Sequence, residues 1–125
     1  MRINKEEARS FLIQYQNLSG SKLSPGINGI LEHIKKVGCI QFDPLNIIAR
    51  NPDLVLQSRI KSYKPEMLEQ LLYKDRLLVD GWDKMMSIYS RDDWMYFHYV
   101  REQRGIETID TLERRGQSEA LLHID

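Results

Sequence analysis

Proline placement is the strongest constraint on how this 125-residue chain can fold. All four prolines lie between residues 25 and 65, at Pro25, Pro44, Pro52 and Pro65. Proline fixes φ and has no N–H to donate, so it opens a helix or ends a strand and is excluded from the interior of both. The middle of the chain is therefore built from short elements. Ser24-Pro25 announces a helix, as cap and first-turn proline, with Ile27, Ile30, Leu31, Ile34 and Val37 as its buried stripe and Gly38 as its stop. Asn51-Pro52-Asp53 starts another, leading into LVLQSRIKSY. Pro65 opens a third, PEMLEQLLYK, with Met67, Leu68, Leu71 and Leu72 inward. Pro44 terminates the short apolar run that follows Gly38.

The flanks carry their own punctuation. Asn4 with Glu7 three residues later is a capping-box pattern, and Ala8, Phe11, Leu12, Tyr15 and Leu18 follow at helical spacing up to Gly20. In RLLVDGWDKMMSIY, residues 76–89, Asp80-Gly81 stands between two apolar segments, the sequence of a tight hairpin. Ser90 with Asp93 caps an aromatic-rich helix that should end at Gly105, and the tail reads as one more helix, a Gly116 turn and the first residues of another. Several short helices followed by a hairpin predict a mainly α fold with a small β-hairpin (α+β), a winged helix-turn-helix. The expected division is a winged-helix domain over 1–104 and the truncated start of a second helical module over 105–125, as in a portion of a longer protein. Trp82, Trp94, Tyr89, Tyr96, Phe97 and Tyr99 are spaced as core, with a hairpin-tip Trp82 wedged into a base stack as the other reading.

Composition excludes several classes. With 42% apolar and 29% charged residues the chain has the make-up of an ordinary soluble domain, and no run approaches the roughly 18–20 apolar residues of a membrane span. The N-terminal MRINKEEARS lacks an apolar signal-peptide core. A single Cys39 excludes an internal disulfide and fits a reducing compartment, so a cytoplasmic location is expected. His33, His98 and His123 have no metal-ligand spacing, and there is no glycine-rich phosphate loop, so neither metal nor cofactor is expected. The zero net charge is unevenly distributed. Residues 1–64 hold ten Lys or Arg against five Asp or Glu, and residues 65–125 hold eight against thirteen, balances of +5 and −5. A basic N-terminal half could meet a phosphate backbone.

The stretch GCIQFDPLNIIAR, residues 38–50, places two polar side chains, Gln41 and Asp43, two apart in an apolar run. Strand period puts both on one face and Phe42 on the other. They are either a solvated face, with Asp43 capping the turn begun by Pro44, or a carboxylate held beside an amide to orient water and stabilise positive charge on a sugar. Arg50 and Arg59 are exposed arginines or phosphate contacts, with Lys61, Lys64 and Lys35-Lys36 able to extend that surface.

The block VGCIQFDPLNIIARNPDLVLQSRIKSYKPEMLEQLLY resembles the signature region of the bacterial YcaQ and AlkZ-type winged-helix DNA glycosylases. The matching features are Gln41-Phe42-Asp43, Asn46 and Arg50, the Leu-x-x-Arg ending at Arg59, and Tyr63-x-Pro65, with a looser match through Trp82 and Ser87. The resemblance implies removal of bulky alkylated bases and unhooking of interstrand crosslinks by N-glycosidic hydrolysis on double-stranded DNA, by a monomer without metal. It implies Asp43 as water activator and electrostatic stabiliser and Gln41 as positioner, in the Gln-x-Asp form of the motif found in the YcaQ branch. It carries Arg50, Arg59 and Asn46 over as DNA contacts. Many relatives have His just after the wing Trp, where this chain has Asp83-Lys84, leaving Lys84 as the substitute phosphate contact. The competing readings are a non-catalytic winged-helix regulator, reading bases from helix 25–37 through Asn28, Glu32, Lys35 and Lys36, and a protein-interaction module with an exposed apolar patch.

Overall fold

A computed structural model of the chain describes residues 2–20, 23–43, 45–83, 85–117 and 119. Helix α1 spans Lys5–Tyr15, and its capping box is formed: Glu7 N donates to Asn4 Oδ1 and Asn4 N donates to Glu7 Oε2, both at 2.9 Å. No residue of α1 is buried. Phe11, Leu12, Tyr15 and Leu18, which have the spacing of a buried face, remain exposed. The helix is tied down at its C-terminal end instead. Arg59 Nε donates to the Gln16 carbonyl at 2.9 Å, and Lys36 Nζ lies 4.8 Å from the Tyr15 ring while donating to Asn17 Oδ1 at 3.2 Å.

Helix α2, Ile27–Val37, begins later than Ser24-Pro25 suggests, with Gly26 at its N-cap and φ +68°. Ser24 bonds a side chain one level up: its Oγ donates to Glu32 Oε1 at 2.6 Å and its N to Glu32 Oε2 at 3.1 Å, which lowers the Glu32 pKa. Ile30 and Ile34 are buried, and Gly38 ends the helix at φ +87° with its N–H on the Ile34 carbonyl. Strand β1, Cys39–Gln41, follows at once, then α3, Asn51–Gln57, with Pro52 in its first turn. Helix α4, Pro65–Glu69, runs into a π-helical turn over Gln70–Lys74, so the apolar stripe Leu68, Leu71 and Leu72 stays buried while the axis loosens.

Strands β2, Leu78–Trp82, and β3, Met86–Ser90, form the expected hairpin, but its turn is not at Asp80-Gly81. Those two residues lie within β2, opposite Ile88 and Ser87, and the chain reverses after Trp82, which pairs with Met86. Gly81 is required there by a close approach: a Cβ at this position would stand 2.7 Å from the buried Tyr89 hydroxyl. Strand β1 adds antiparallel to β3, with Ile40 opposite Ile88, giving the order β1-β3-β2. Ile30, Ile34, Ile40, Leu56, Leu68, Leu71, Leu78 and Ile88 form one core between the helices and this sheet. A helix, a strand, two helices and a hairpin whose second strand lies against the first strand is the winged helix-turn-helix arrangement, mainly α with a small sheet.

Beyond the sheet, Ser90 Oγ accepts from Asp92 N at 3.2 Å and caps a 3-10 turn, Arg91–Phe97. Helix α5, His98–Arg114, continues through Gly105, so the expected boundary between 104 and 105 falls inside one helix. Gly116, at φ +66°, closes it with its N–H on the Glu113 carbonyl. The helix start expected beyond that turn lies outside the described residues. Few of the aromatics are core. Tyr89 is buried and stacks on Phe97 at 4.2 Å, whereas Trp94, Tyr96 and Tyr99 are exposed.

Candidate active site

Strand β1 is held in register by β3, and its ladder extends one bond further, from Phe42 N to the Met86 carbonyl at 2.8 Å. Ile40 is buried and Phe42 packs against the core, so their intervening and following neighbours, Gln41 and Asp43, stand on the outer side. Gln41 is exposed at the end of the strand, opposite Ser87. Asp43 is half-buried, and its Oδ1 accepts from Leu45 N at 2.9 Å, an Asx turn that fixes the carboxylate as the chain leaves the sheet. Its Oδ2 takes no hydrogen bond among the described residues. The turn-capping and site-forming readings of Asp43 are therefore compatible, one oxygen being used and the other taking no hydrogen bond among the described residues.

Two shallow grooves lie along the segment after Asp43. One, of about 260 Å³, is lined by Asp43, Leu45, Ile47, Ile48 and Leu54. The other, of about 440 Å³, is lined by Asn46, Ile48, Arg50, Asp53, Gln57 and Tyr63. Ile48 and Ala49 border both. Asn46 and Arg50, matched to the family motif from sequence, thus share one groove, and Asp43 borders the next.

Arg50 does not project freely. Its Nε donates to Asp53 Oδ2 at 2.7 Å and its Nη1 stands 3.3 Å from Glu69 Oε1. The bond to Asp53 raises the guanidinium pKa. Asp53 is only 5% exposed, and its other oxygen accepts from the Tyr63 hydroxyl. Burial, then that bond, pushes the Tyr63 pKa up, so the phenol stays protonated. This Arg50–Asp53–Tyr63 network was not visible in the sequence, where Asp53 read as a helix-start residue. The available signal was an acid in the first turn of an otherwise apolar helix, ten residues before a tyrosine.

Arg59 is also committed internally. Besides Gln16, its guanidinium reaches the Val55 carbonyl and Ser58 Oγ through Nη1, each at 2.8 Å, and burial lowers its pKa. It fastens α1 to α3. Lys84 lies outside the described residues. Trp82, at the hairpin end, is 45% exposed and carries the Arg104 guanidinium 4.8 Å above its ring. Among the described residues, no group of three or more His, Cys, Asp or Glu could hold a metal ion, and no helix is long and apolar enough to cross a membrane.

Following the helix-turn-helix order, the helix in the recognition position is not α2 but the Pro65–Lys74 unit after α3. It presents Glu66 and Glu69 at its surface, with Lys74 at its far end. Acidic side chains there oppose close approach to phosphates.

No curated protein and no solved structure matches the chain. The sequence model of the DNA glycosylase AlkZ-like family matches residues 34–120, from the last turn of α2 through the grooves and the hairpin to beyond α5. The match covers more than half of the chain, which therefore belongs to the DNA glycosylase AlkZ-like family.

Proposed function

We propose that this chain carries the catalytic motif of a DNA repair glycosylase that hydrolyses the N-glycosidic bond of alkylated bases in duplex DNA, including crosslinked ones. The observation that carries the reading is Asp43 just past a sheet-anchored strand that ends at Gln41, one carboxylate oxygen fixed by Leu45 N and the other without a hydrogen bond among the described residues. Family membership supplies the reaction class.

An N7-alkylated purine is already cationic, so the C1′–N9 bond breaks with its electron pair leaving on a base that becomes neutral. Little protonation of the leaving group is needed. The positive charge moves to the sugar, and a carboxylate close to an oxocarbenium-like centre stabilises it. The same group accepts a proton as water adds to C1′. Asp43 takes both roles, and the Gln41 amide, with a donor and an acceptor, orients the water or the sugar-phosphate. Asn46 and Arg50 contact the strand in the adjoining groove, with Arg50 aimed by Asp53. Arg59 and Lys84 complete the backbone contacts, Arg59 through the donors its internal bonds leave over. Interstrand crosslinks fit shallow, open grooves, which do not require a large adduct to enter a deep pocket.

Base release from duplex DNA carrying a single N7-alkylguanine tests the reading. Release of the modified base, leaving an abasic site and no release from unmodified duplex, is expected. DNA binding without release would instead assign the chain to the non-catalytic regulators.

A further inference from the structure

The segment between Asp43 and Arg50 holds an unusual surface. It carries no charged side chain, yet Leu45 is 68% exposed and Ile47 and Ile48 are each 90% exposed. Single exposed apolar residues are ordinary, but here three adjoin in one short loop, with Leu54 beside them along the groove that Asp43 borders. The loop is anchored at both ends. Leu45 N is on Asp43 Oδ1, and Arg50 is clamped between Asp53 and Glu69. Ile48, with Ala49, lies between the two grooves and lines both.

Resting on the glycosylase reading, we propose that Ile47 and Ile48 form a wedge that enters the duplex next to the lesion and unstacks one base step, bringing the sugar of the damaged nucleotide to Asp43. The occupant follows from position. Ile48 lines both the groove of Asp43 and the groove of Asn46 and Arg50, so a ligand that fills the Asp43 groove meets Ile48 as well. A protein partner seated on the loop would cover the carboxylate. Apolar side chains inserted between base steps are a general means of kinking DNA, and their flanking polar groups hold the displaced backbone. Asp43 cannot serve the wedge role, because a carboxylate is repelled by the phosphates it would pass.

The test uses the full chain, its Ile47→Ser/Ile48→Ser double variant, and a duplex with N7-alkylguanine next to 2-aminopurine. Both isoleucines are almost fully exposed, so the variant should melt with the wild-type protein. Wild-type protein should raise 2-aminopurine fluorescence on binding. The double variant should lose that rise and release base at least about tenfold more slowly. A mismatch at the same step, which removes the unstacking cost in advance, should restore its release. The variant Asp43→Asn should keep the fluorescence rise and lose release. An undiminished rise in the double variant, slow release that the mismatch does not restore, or a change confined to self-association would overturn the wedge. Absence of base release by wild-type protein would overturn the glycosylase reading alone, since the fluorescence comparison still decides whether the loop unstacks DNA.

Discussion

At the scale of single residues, Asp53 shows how burial decides a side chain's work. A carboxylate that is 5% exposed is costly unless both oxygens are paired. Arg50 supplies one partner and Tyr63 the other, and the arginine is left partly at the surface. Asp53→Ala would strand the phenol and the guanidinium, and is expected to destabilise the fold by roughly 2–4 kcal/mol in urea unfolding. A loss below about 0.5 kcal/mol would show that the network adds nothing to stability. The pairing was illegible in sequence because it joins residues ten apart across a turn, where no helical or strand period operates. Gln41 and Asp43 were legible because their spacing is the strand period itself. What the pattern could not supply was the Leu45 N–H that orients the carboxylate.

At the scale of elements, local signals located every helix among the described residues and misplaced some of their ends. The Asn4/Glu7 capping box, the Gly38 stop and the proline starts at Pro52 and Pro65 are all realised. Asp80-Gly81 is the instructive failure. Its turn chemistry is genuine, but the register that pairs Gly81 with Ser87 is set by burial of Leu78 on the face it shares with Ile88, with Tyr89 buried on the other face, and a one-residue slip of β2 would carry Leu78 off its face. The glycine answers to a tertiary neighbour, Tyr89, which periodicity cannot reveal. Gly81→Ala is therefore expected to cost about 1–3 kcal/mol through overpacking, and truncating the hydroxyl in Tyr89→Phe should recover part of it. Strict additivity of the two substitutions in a double-mutant cycle would contradict this contact. Gly105 misled for a different reason: glycine lowers helix propensity by only about 1 kcal/mol, and α5 continues through it.

At the scale of the whole molecule, the winged arrangement turns one core toward the helices and leaves the motif at the edge of a three-stranded sheet. His33 is sealed in that core at 1% exposure. Burial, aided by Arg59 and Lys36, lowers its pKa to about 4 from an ordinary 6.5. Between these values the unfolded chain binds a proton that the folded chain refuses. The stability held above pH 6.5 is accordingly lost as the pH falls toward 4, by up to roughly 3 kcal/mol. Urea midpoints measured from pH 7.5 to 4 should fall for the wild-type chain and fall less for His33→Gln; equal slopes would contradict this.

The central claim is that Asp43 is both a turn cap and the catalytic carboxylate, and substituting Asn separates these roles. Asparagine keeps an oxygen to accept from Leu45 N but carries no charge. Single-turnover release of N7-alkylguanine by Asp43→Asn, alongside its melting temperature and its affinity for the same duplex, is the most direct test. The expected result is release slowed by about 10²-fold or more with melting and affinity unchanged. Release at the wild-type rate would contradict the claim and leave Asp43 as a turn cap alone.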